Sequence, residues 1–391
     1  MIGQRLKQLR MAQGLSLEDL AAKLGGIVTK QALSKYEQGR SQPSPVVLNK
    51  LATALGVKAA HLWRDPSIHV QFIAYRKGSG LLKREQEKVK SFVTEVLEER
   101  VRLQMLTHPT DGVSLPVKIL PVKIVEDAER AAESLREQWN LGLDPVASVT
   151  GVLEDRLVHV LEVEAGEKFD GISAVAYTED DQLVAAAVVT RRGLPGGRQR
   201  LNLAHELGHL VLNIAEEVDE EQAAFRFAGA FLAPAKAVYR VVGRQRSLIG
   251  GDELLLLKQR FGLSGQALLY RLRDLGIITE SYYRQWCIDI NKLGWRKREP
   301  YEIPPEQPQW LRCRVLRALA EGLVAPGEAE QMLGKGTEIQ MSAPLLDRRS
   351  FMKLPIEERR RILAAQADRL APIYEQDKEK GDLQGGDLVE Y

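Results

Sequence analysis

The sequence predicts an α+β chain: an all-α N-terminal domain, then a domain of small sheet plus helices, then a helical C-terminal region. Three observations carry this. Residues 3–63 read as five short helices separated by Gly and Pro punctuation. Three apolar runs, Leu157–Val163, Ser173–Tyr177 and Leu183–Thr190, read as strands. They lead into Arg200–Asn213, which reads as one amphipathic helix, and further amphipathic helices continue to Leu333.

The first helix carries Leu6, Leu9 and Met11 on one face. Ser16 is a good N-cap for the second, Leu17–Leu24, with Glu18 and Asp19 in its first turn. Gly25-Gly26 breaks it. Thr29–Glu37 is the third helix and Gly39 ends it; Pro43 and Pro45 open a fourth, through Leu55, and Val57–Trp63 closes the unit. This is the register of a helix-turn-helix. The third helix turns Ala32, Leu33 and Tyr36 inward and presents Thr29, Lys30, Gln31, Ser34 and Lys35 outward. Short polar and amide side chains there reach base edges in the major groove, and lysines contact phosphate. Residues 1–60 hold nine Lys/Arg against three acidic residues, a local excess of +6 in a chain whose formal net charge is only +2. Such a lobe suits a polyanion, and the helix-turn-helix register makes double-stranded DNA the expected partner.

Residues 64–85 read as extended, with Phe72–Arg76 apolar-rich, and Glu85–Leu106 as one helix between lobes. Asp127–Trp139 is amphipathic, and Asp144-Pro145 starts a helix through Arg156. His159 alternates with apolar neighbours on a strand and reads as structural.

The chemistry concentrates at His205-Glu-Leu-Gly-His209. Two histidines four apart on a helix project from one face, so both imidazoles can bind one Zn²⁺. The glutamate between them, Glu206, can then orient and deprotonate a metal-bound water. Gly208 costs about 1 kcal/mol in a helix interior, which points to close approach of another backbone. Two histidines leave zinc short of a ligand, and a carboxylate from a second helix would complete a His₂Glu site. The acidic run Glu216–Glu221 precedes the apolar helix Gln222–Pro234. Glu221 is the first choice there and Glu220 the alternative.

Composition sets outer limits. With 391 residues, 44% hydrophobic and 28% charged, the chain is long enough for two or three domains with ample core. No run approaches the ~20 apolar residues a bilayer requires, and the N-terminus lacks a signal-peptide core, so no membrane partner is expected. The two isolated cysteines, Cys287 and Cys313, suggest a reducing cytoplasm and do not form a metal motif.

Three resemblances add to this reading. Leu17–Leu24, Leu33-Ser-Lys-Tyr-Glu-Gln-Gly-Arg40 and Leu51-Ala-Thr-Ala-Leu-Gly-Val57 closely resemble the Cro/CI-like (XRE) repressor family, which extends the candidate DNA-contacting set to Arg40. The turn around Gly25–Val28 is one residue longer than the common pattern. Residues from about 121 to 290 resemble the ImmA/IrrE zinc metallopeptidases, a zincin-like fold. The matching words are Asp170-Gly-Ile-Ser173, Arg198–His209, Glu221-Gln-Ala-Ala-Phe-Arg-Phe-Ala228, Phe261-Gly-Leu-Ser264 and Ala267–Gly276. That resemblance implies Glu221 as third ligand beside His205 and His209, with Glu206 catalytic. One departure stands out: the family's Asn or Asp four residues after the ligand glutamate is Phe225 here. The ligand histidines then need another orienting group, and weak or conditional activity becomes a reading to test. The tail words Leu354-Pro-Ile-Glu-Glu-Arg-Arg-Arg-Ile-Leu363 and Gly386-Asp-Leu-Val-Glu-Tyr391 are similar to short antitoxins paired with MazF/PemK-type endoribonucleases. The alternative is a flexible tail docking on the chain's own peptidase lobe.

The expected organisation is a helix-turn-helix domain over 1–65 and a linker with a long helix over 66–120. A zinc metallopeptidase domain spans 121–290, a helical extension 291–340 and an antitoxin-like tail 341–391. The resemblance implies a zinc-dependent endopeptidase of the cytoplasm whose substrate is a helix-turn-helix repressor. The alternative is a DNA-binding regulator or antitoxin with an inert or conditional peptidase lobe.

Overall fold

The computed structural model describes residues 2–64, 67–73, 82–107, 114–334, 348–364 and 367. Met1–Ala325 forms one unit and Pro326–Tyr391 a second.

Helices α1 (Ile2–Ala12), α2 (Leu17–Lys23), α3 (Lys30–Glu37) and α4 (Pro45–Leu55) open the first unit. Ser16, Thr29 and Ser44 each cap the helix that follows by accepting the N–H of the residue three places on. Leu6, Leu20, Leu33, Leu51 and Leu62 are fully buried and form the core of this bundle. The expected fifth helix is a 3-10 turn, Ala59–Trp63.

Next come β1 (His69–Ile73) and the 25-residue helix α5 (Lys83–Thr107). The Arg5 guanidinium, its side chain wholly buried, forks onto the Glu98 carboxylate of α5. Gln8 Nε2 and His61 Nε2 reach Glu95 at 3.2 and 2.6 Å. The helix bundle is therefore docked on α5 through charge-assisted bonds. Because one partner is buried, breaking this pair costs far more than breaking a surface pair.

The rest of the first unit is β2 (Leu120–Val122), α6 (Asp127–Gln138), α7 (Val149–Glu154), β3 (Val158–Val163), β4 (Gly171–Tyr177), β5 (Leu183–Arg191), α8 (Gly196–Val211), β6 (Leu212–Ile214), α9 (Glu220–Leu232), α10 (Ala235–Val242), α11 (Gly251–Phe261), α12 (Gly265–Asp274), α13 (Glu280–Lys292) and α14 (Trp310–Ala320). Four strands make a sheet in the order β1-β4-β5-β3. β3 runs parallel to β5; β4 is antiparallel to both β5 and β1. The side chains of Val89, Val93, Leu97 and Val101 on α5 cover one face, against Ile172, Ala174, Ala176, Ala187 and Val189. Leu203, Leu207 and Leu210 of α8 belong to the core on the other face, with Val158, Val160, Val175 and Val188. The sheet is thus buried on both sides, which explains why β3, β4 and β5 read as nearly continuous apolar runs.

Two boundaries differ from expectation. α7 begins at Val149, not at Asp144, because Ser148 caps it and because residues 142–144 wrap the buried Arg136, whose Nη2 donates to the carbonyls of Gly142 and Asp144. The helix expected through Asn213 ends at Val211. Leu212–Ile214 leaves it to pair in parallel with β2, a two-stranded sheet that the sequence reading missed. His159 is buried as expected for a structural residue; its Nε2 donates to Gln104 Oε1, and its ring meets Trp310 edge-on at 4.5 Å.

In the second unit, α15 (Pro326–Leu333) and α16 (Arg348–Lys353) are helical, as are residues 356–364. The terminal Gly386–Tyr391 motif lies outside the described residues. Among the described residues, no helix is long and apolar enough to cross a membrane.

Candidate metal centre and helix-turn-helix surface

Helix α8 starts where backbone crowds backbone. A side chain on Gly196 would collide with the carbonyl oxygen of Pro304, and one on Gly197 would meet the Ser264 nitrogen at 2.7 Å. The Arg200 guanidinium pairs with the Glu306 carboxylate and donates to the Gly262 carbonyl. This pins the first turn. Further along, Gly208 lies under α9: an added Cβ would sit 3.2 Å from the Phe227 ring and 3.3 Å from Ala224 Cα. The close approach anticipated at this glycine is that of α9, and it brings the start of α9 alongside the two histidines.

The N-terminal turn of α9 is capped by Asp219, which accepts the Gln222 N–H at 3.0 Å. That places Glu220 and Glu221 in its first turn. His205 Nε2 and His209 Nε2 lie 3.1 Å apart. Glu221 Oε2 is 3.5 Å from the first, and its Oε1 is 3.7 Å from the second. One ligand atom from each of the three lies within 4.8 Å of the other two. His205 and His209 are buried, while the Glu221 side chain is 38% exposed. Two imidazole nitrogens and one carboxylate, converging with an open side, match the donor types that hold a divalent metal ion. The residues present therefore fit a zinc ion.

Four neighbours line these residues, and the sequence reading gave none of them the contact it makes. Glu220 Oε1 lies 3.2 Å from His209 Nδ1, so the residue held as alternative ligand instead supports the ring behind the site. Burial opposes protonation of His209, but this bond and the charges of Glu206, Glu221 and Glu220 outweigh it and raise its pKa. The same hydrogen bond holds the Glu220 carboxyl below its ordinary value. Ser173 Oγ sits 2.7 Å from Glu206 Oε2 and 2.7 Å from the Glu206 carbonyl oxygen, so its single proton serves one at a time. A Cβ on Gly171 would come within 2.6 Å of Glu206 Oε1. β4 thus fixes the Glu206 carboxylate from one side. The signal was present in Asp170-Gly-Ile-Ser173, but local pattern alone gives no role to a serine 33 residues upstream. Phe225 lies against His205, ring centroids 4.1 Å apart and planes tilted by 38°.

The helix-turn-helix candidates lie on and beside α3. Gln31, Lys35 and Arg40 are exposed. Lys30 is exposed too, with Nζ 2.6 Å from Glu18 Oε1. Thr29 does double service: its hydroxyl accepts the Ala32 N–H as N-cap while sitting at the outer end of the helix. Ser34 is half-buried and accepts from Gln38 Nε2 at 3.1 Å. Behind them Arg10 grips Glu37 with two bonds of 2.6 and 2.8 Å, tying α3 to α1.

Comparison with known proteins finds both regions. A family model described as helix-turn-helix matches residues 6–62, and one described as IrrE N-terminal-like domain matches residues 173–273. The chain is 39% identical over 72 residues to an uncharacterized SPbeta prophage-derived HTH-type transcriptional regulator of Bacillus subtilis, covering 18% of this chain and 63% of that one. It is 37% identical over 62 residues to an uncharacterized HTH-type transcriptional regulator of Sinorhizobium fredii, covering 16% of this chain and 78% of the other.

Proposed function

Through residues 6–62 the chain belongs to the helix-turn-helix family of transcriptional regulators, and on that premise we propose that it joins a DNA-binding domain to a zinc-dependent endopeptidase that cleaves a helix-turn-helix repressor. The observation that supports this best is the convergence of His205, His209 and Glu221 beside Glu206. His205, His209 and Glu221 would hold the zinc ion, which would supply Lewis acidity toward the scissile carbonyl and the attacking water. Glu206 accepts the proton of that water at its carboxylate and passes it to the leaving nitrogen. Ser173 and Gly171 hold that carboxylate in place, the first by a hydrogen bond and the second by leaving room for it. Glu220 fixes the His209 ring. α3 offers Gln31 to base edges and Lys35 to phosphate, and Arg40, just beyond the helix, is a second phosphate contact, on a lobe of net positive charge. Double-stranded DNA then brings the peptidase to repressors bound nearby.

The test is incubation with purified repressors of the same helix-turn-helix type. The chain should cleave one of them, a chelator should abolish cleavage, and Glu206→Gln should keep zinc on metal analysis but lose cleavage by at least about a thousandfold. Cleavage by the Glu206→Gln chain at the parent rate overturns the assignment.

A second reading is favoured by Phe225. It presents an apolar ring to His205 where a polar group would orient a ligand. Under that reading the peptidase lobe is conditional or inert and the chain is a regulator or antitoxin. Its tail would then hold a MazF/PemK-type toxin by folding upon binding. A footprint on DNA with no proteolysis of any repressor supports that alternative.

A further inference from the structure

β4 is the strand that touches Glu206: Ser173 bonds to it and Gly171 makes room for it. An extended peptide presented to Glu206 would add to the free side of this strand, gaining main-chain hydrogen bonds as β-augmentation does. That side is already taken. β1, from the connection between the helix-turn-helix bundle and α5, pairs antiparallel with β4, from His69 opposite Tyr177 to Ile73 opposite Ser173. Strand spacing decides whether a substrate could lie outside β1 instead. Neighbouring strands are about 4.8 Å apart, so a peptide beyond β1 would lie about 10 Å from β4, out of hydrogen-bond reach of Glu206. The matched IrrE-like region begins at Ser173, so β1 lies about 100 residues outside it.

We infer that β1 is an internal stand-in for substrate, holding the edge of β4 that would receive the residues N-terminal to a scissile bond and keeping the centre closed until it leaves. This rests on the peptidase reading above. Three features fit. The polarity is that of an antiparallel peptide whose C-terminal end approaches Glu206, since β1 finishes opposite Ser173. Side chains alternate as a bound peptide's would: Ile73 packs with the core on the α8 face, and Val70 and Phe72 pack with that on the α5 face. The strand is also weakly held. None of its five residues is fully buried, whereas five of the seven in β4 are. Part of what holds it is α5, whose Lys90 ammonium lies 5.9 Å from the Phe72 ring centre. The same helix grips Arg5 of the bundle through Glu98. A change in that docking therefore bears on the helix that backs β1.

The test uses the full chain carrying Glu206→Gln and a fluorescein-labelled peptide with the sequence of residues 67–76, read by anisotropy against a scrambled control. Val70→Pro with Gln71→Pro removes one ladder donor, because one of two successive residues points its N–H at β4. That chain should bind the peptide about tenfold or more tightly than its parent, since displacing β1 raises the competent fraction. If the proline pair unfolds the chain, Phe72→Ala replaces it. Gln71→Cys with Val175→Cys, in a background of Cys287→Ser and Cys313→Ser, ties β1 down; binding should vanish on oxidation and return on reduction. Equal binding by the oxidised and reduced forms, or no gain in any chain with a weakened β1, overturns the inference. Hydrolysis separates the two claims. With Glu206 restored and zinc supplied, peptide binding without cleavage sinks the peptidase reading and leaves edge occupation standing. Cleavage that is indifferent to the disulfide does the reverse.

Discussion

Helices α3 and α8 both carry candidate functional residues, and they are opposites. Of the eight residues of α3 only Leu33 is fully buried; of the sixteen in α8, thirteen are. α3 is held by its ends: the Thr29 cap, and the Arg10 grip on Glu37. Its outward side chains answer to little but solvent and can be chosen for a partner. α8 is held along its length, and its two histidines and Glu206 are buried with Leu203, Leu207 and Leu210. There chemistry and stability share the same residues. A surface that recognises a large partner has to be open, whereas a centre that moves protons needs neighbours that exclude water and lock each group in place.

The contrast can be broken or sharpened in four ways, from the largest effect down. Leu207→Ala, fully buried against the sheet, should lower stability by about 2–5 kcal/mol in urea denaturation. A loss below 1 kcal/mol would mean α8 is not packed as described. Thr29→Ala should cost about 1 kcal/mol by removing the α3 cap, seen as a lower unfolding midpoint of the bundle. The third concerns pH. Burial, reinforced by the Arg100 charge, holds the His159 pKa well below its ordinary 6.5. The unfolded chain then takes up a proton near pH 6.5 that the folded chain refuses. This contribution is complete above pH 6.5 and is lost as pH falls below it. Glu129 and Glu306, both held below 4.5, begin to act only under more acidic conditions. Denaturation midpoints at pH 7 and pH 5 should therefore differ less for His159→Phe than for the parent. Last, Lys35→Ala should leave stability within about 0.5 kcal/mol and lower the salt dependence of DNA binding by about one unit of slope. An unchanged slope would take Lys35 off the phosphate backbone.

Much of this was legible because it is local. A cap, a break and an apolar period occur within ten residues, so α2, α3 and α4 could be read one by one. The spacing of His205 and His209 placed them on one face of a helix before any fold was known. What could not be read is set by distant chain. The Glu220 bond to His209 depends on how α9 lies over Gly208. The grip of β4 on Glu206 depends on sheet order, and Leu212–Ile214 became a strand only because β2, some 90 residues upstream, supplied its partner. The start of α7 was misplaced for the same reason: Arg136, buried and needing acceptors, takes the carbonyls of Gly142 and Asp144. Phe225 was visible as a departure, but its contact with the His205 ring required coordinates.

The long helix α5 uses two opposite sides at once. Val89, Val93, Leu97 and Val101 face the sheet, and Glu95 and Glu98 face the bundle. At 100° per residue the two sets point about half a revolution apart. The spacer is thus phased as well as long. A single residue inserted between Val93 and Glu95 would swing every later side chain by about 100° and misalign both contacts together, whereas an insertion of seven would leave an error of only about 20°.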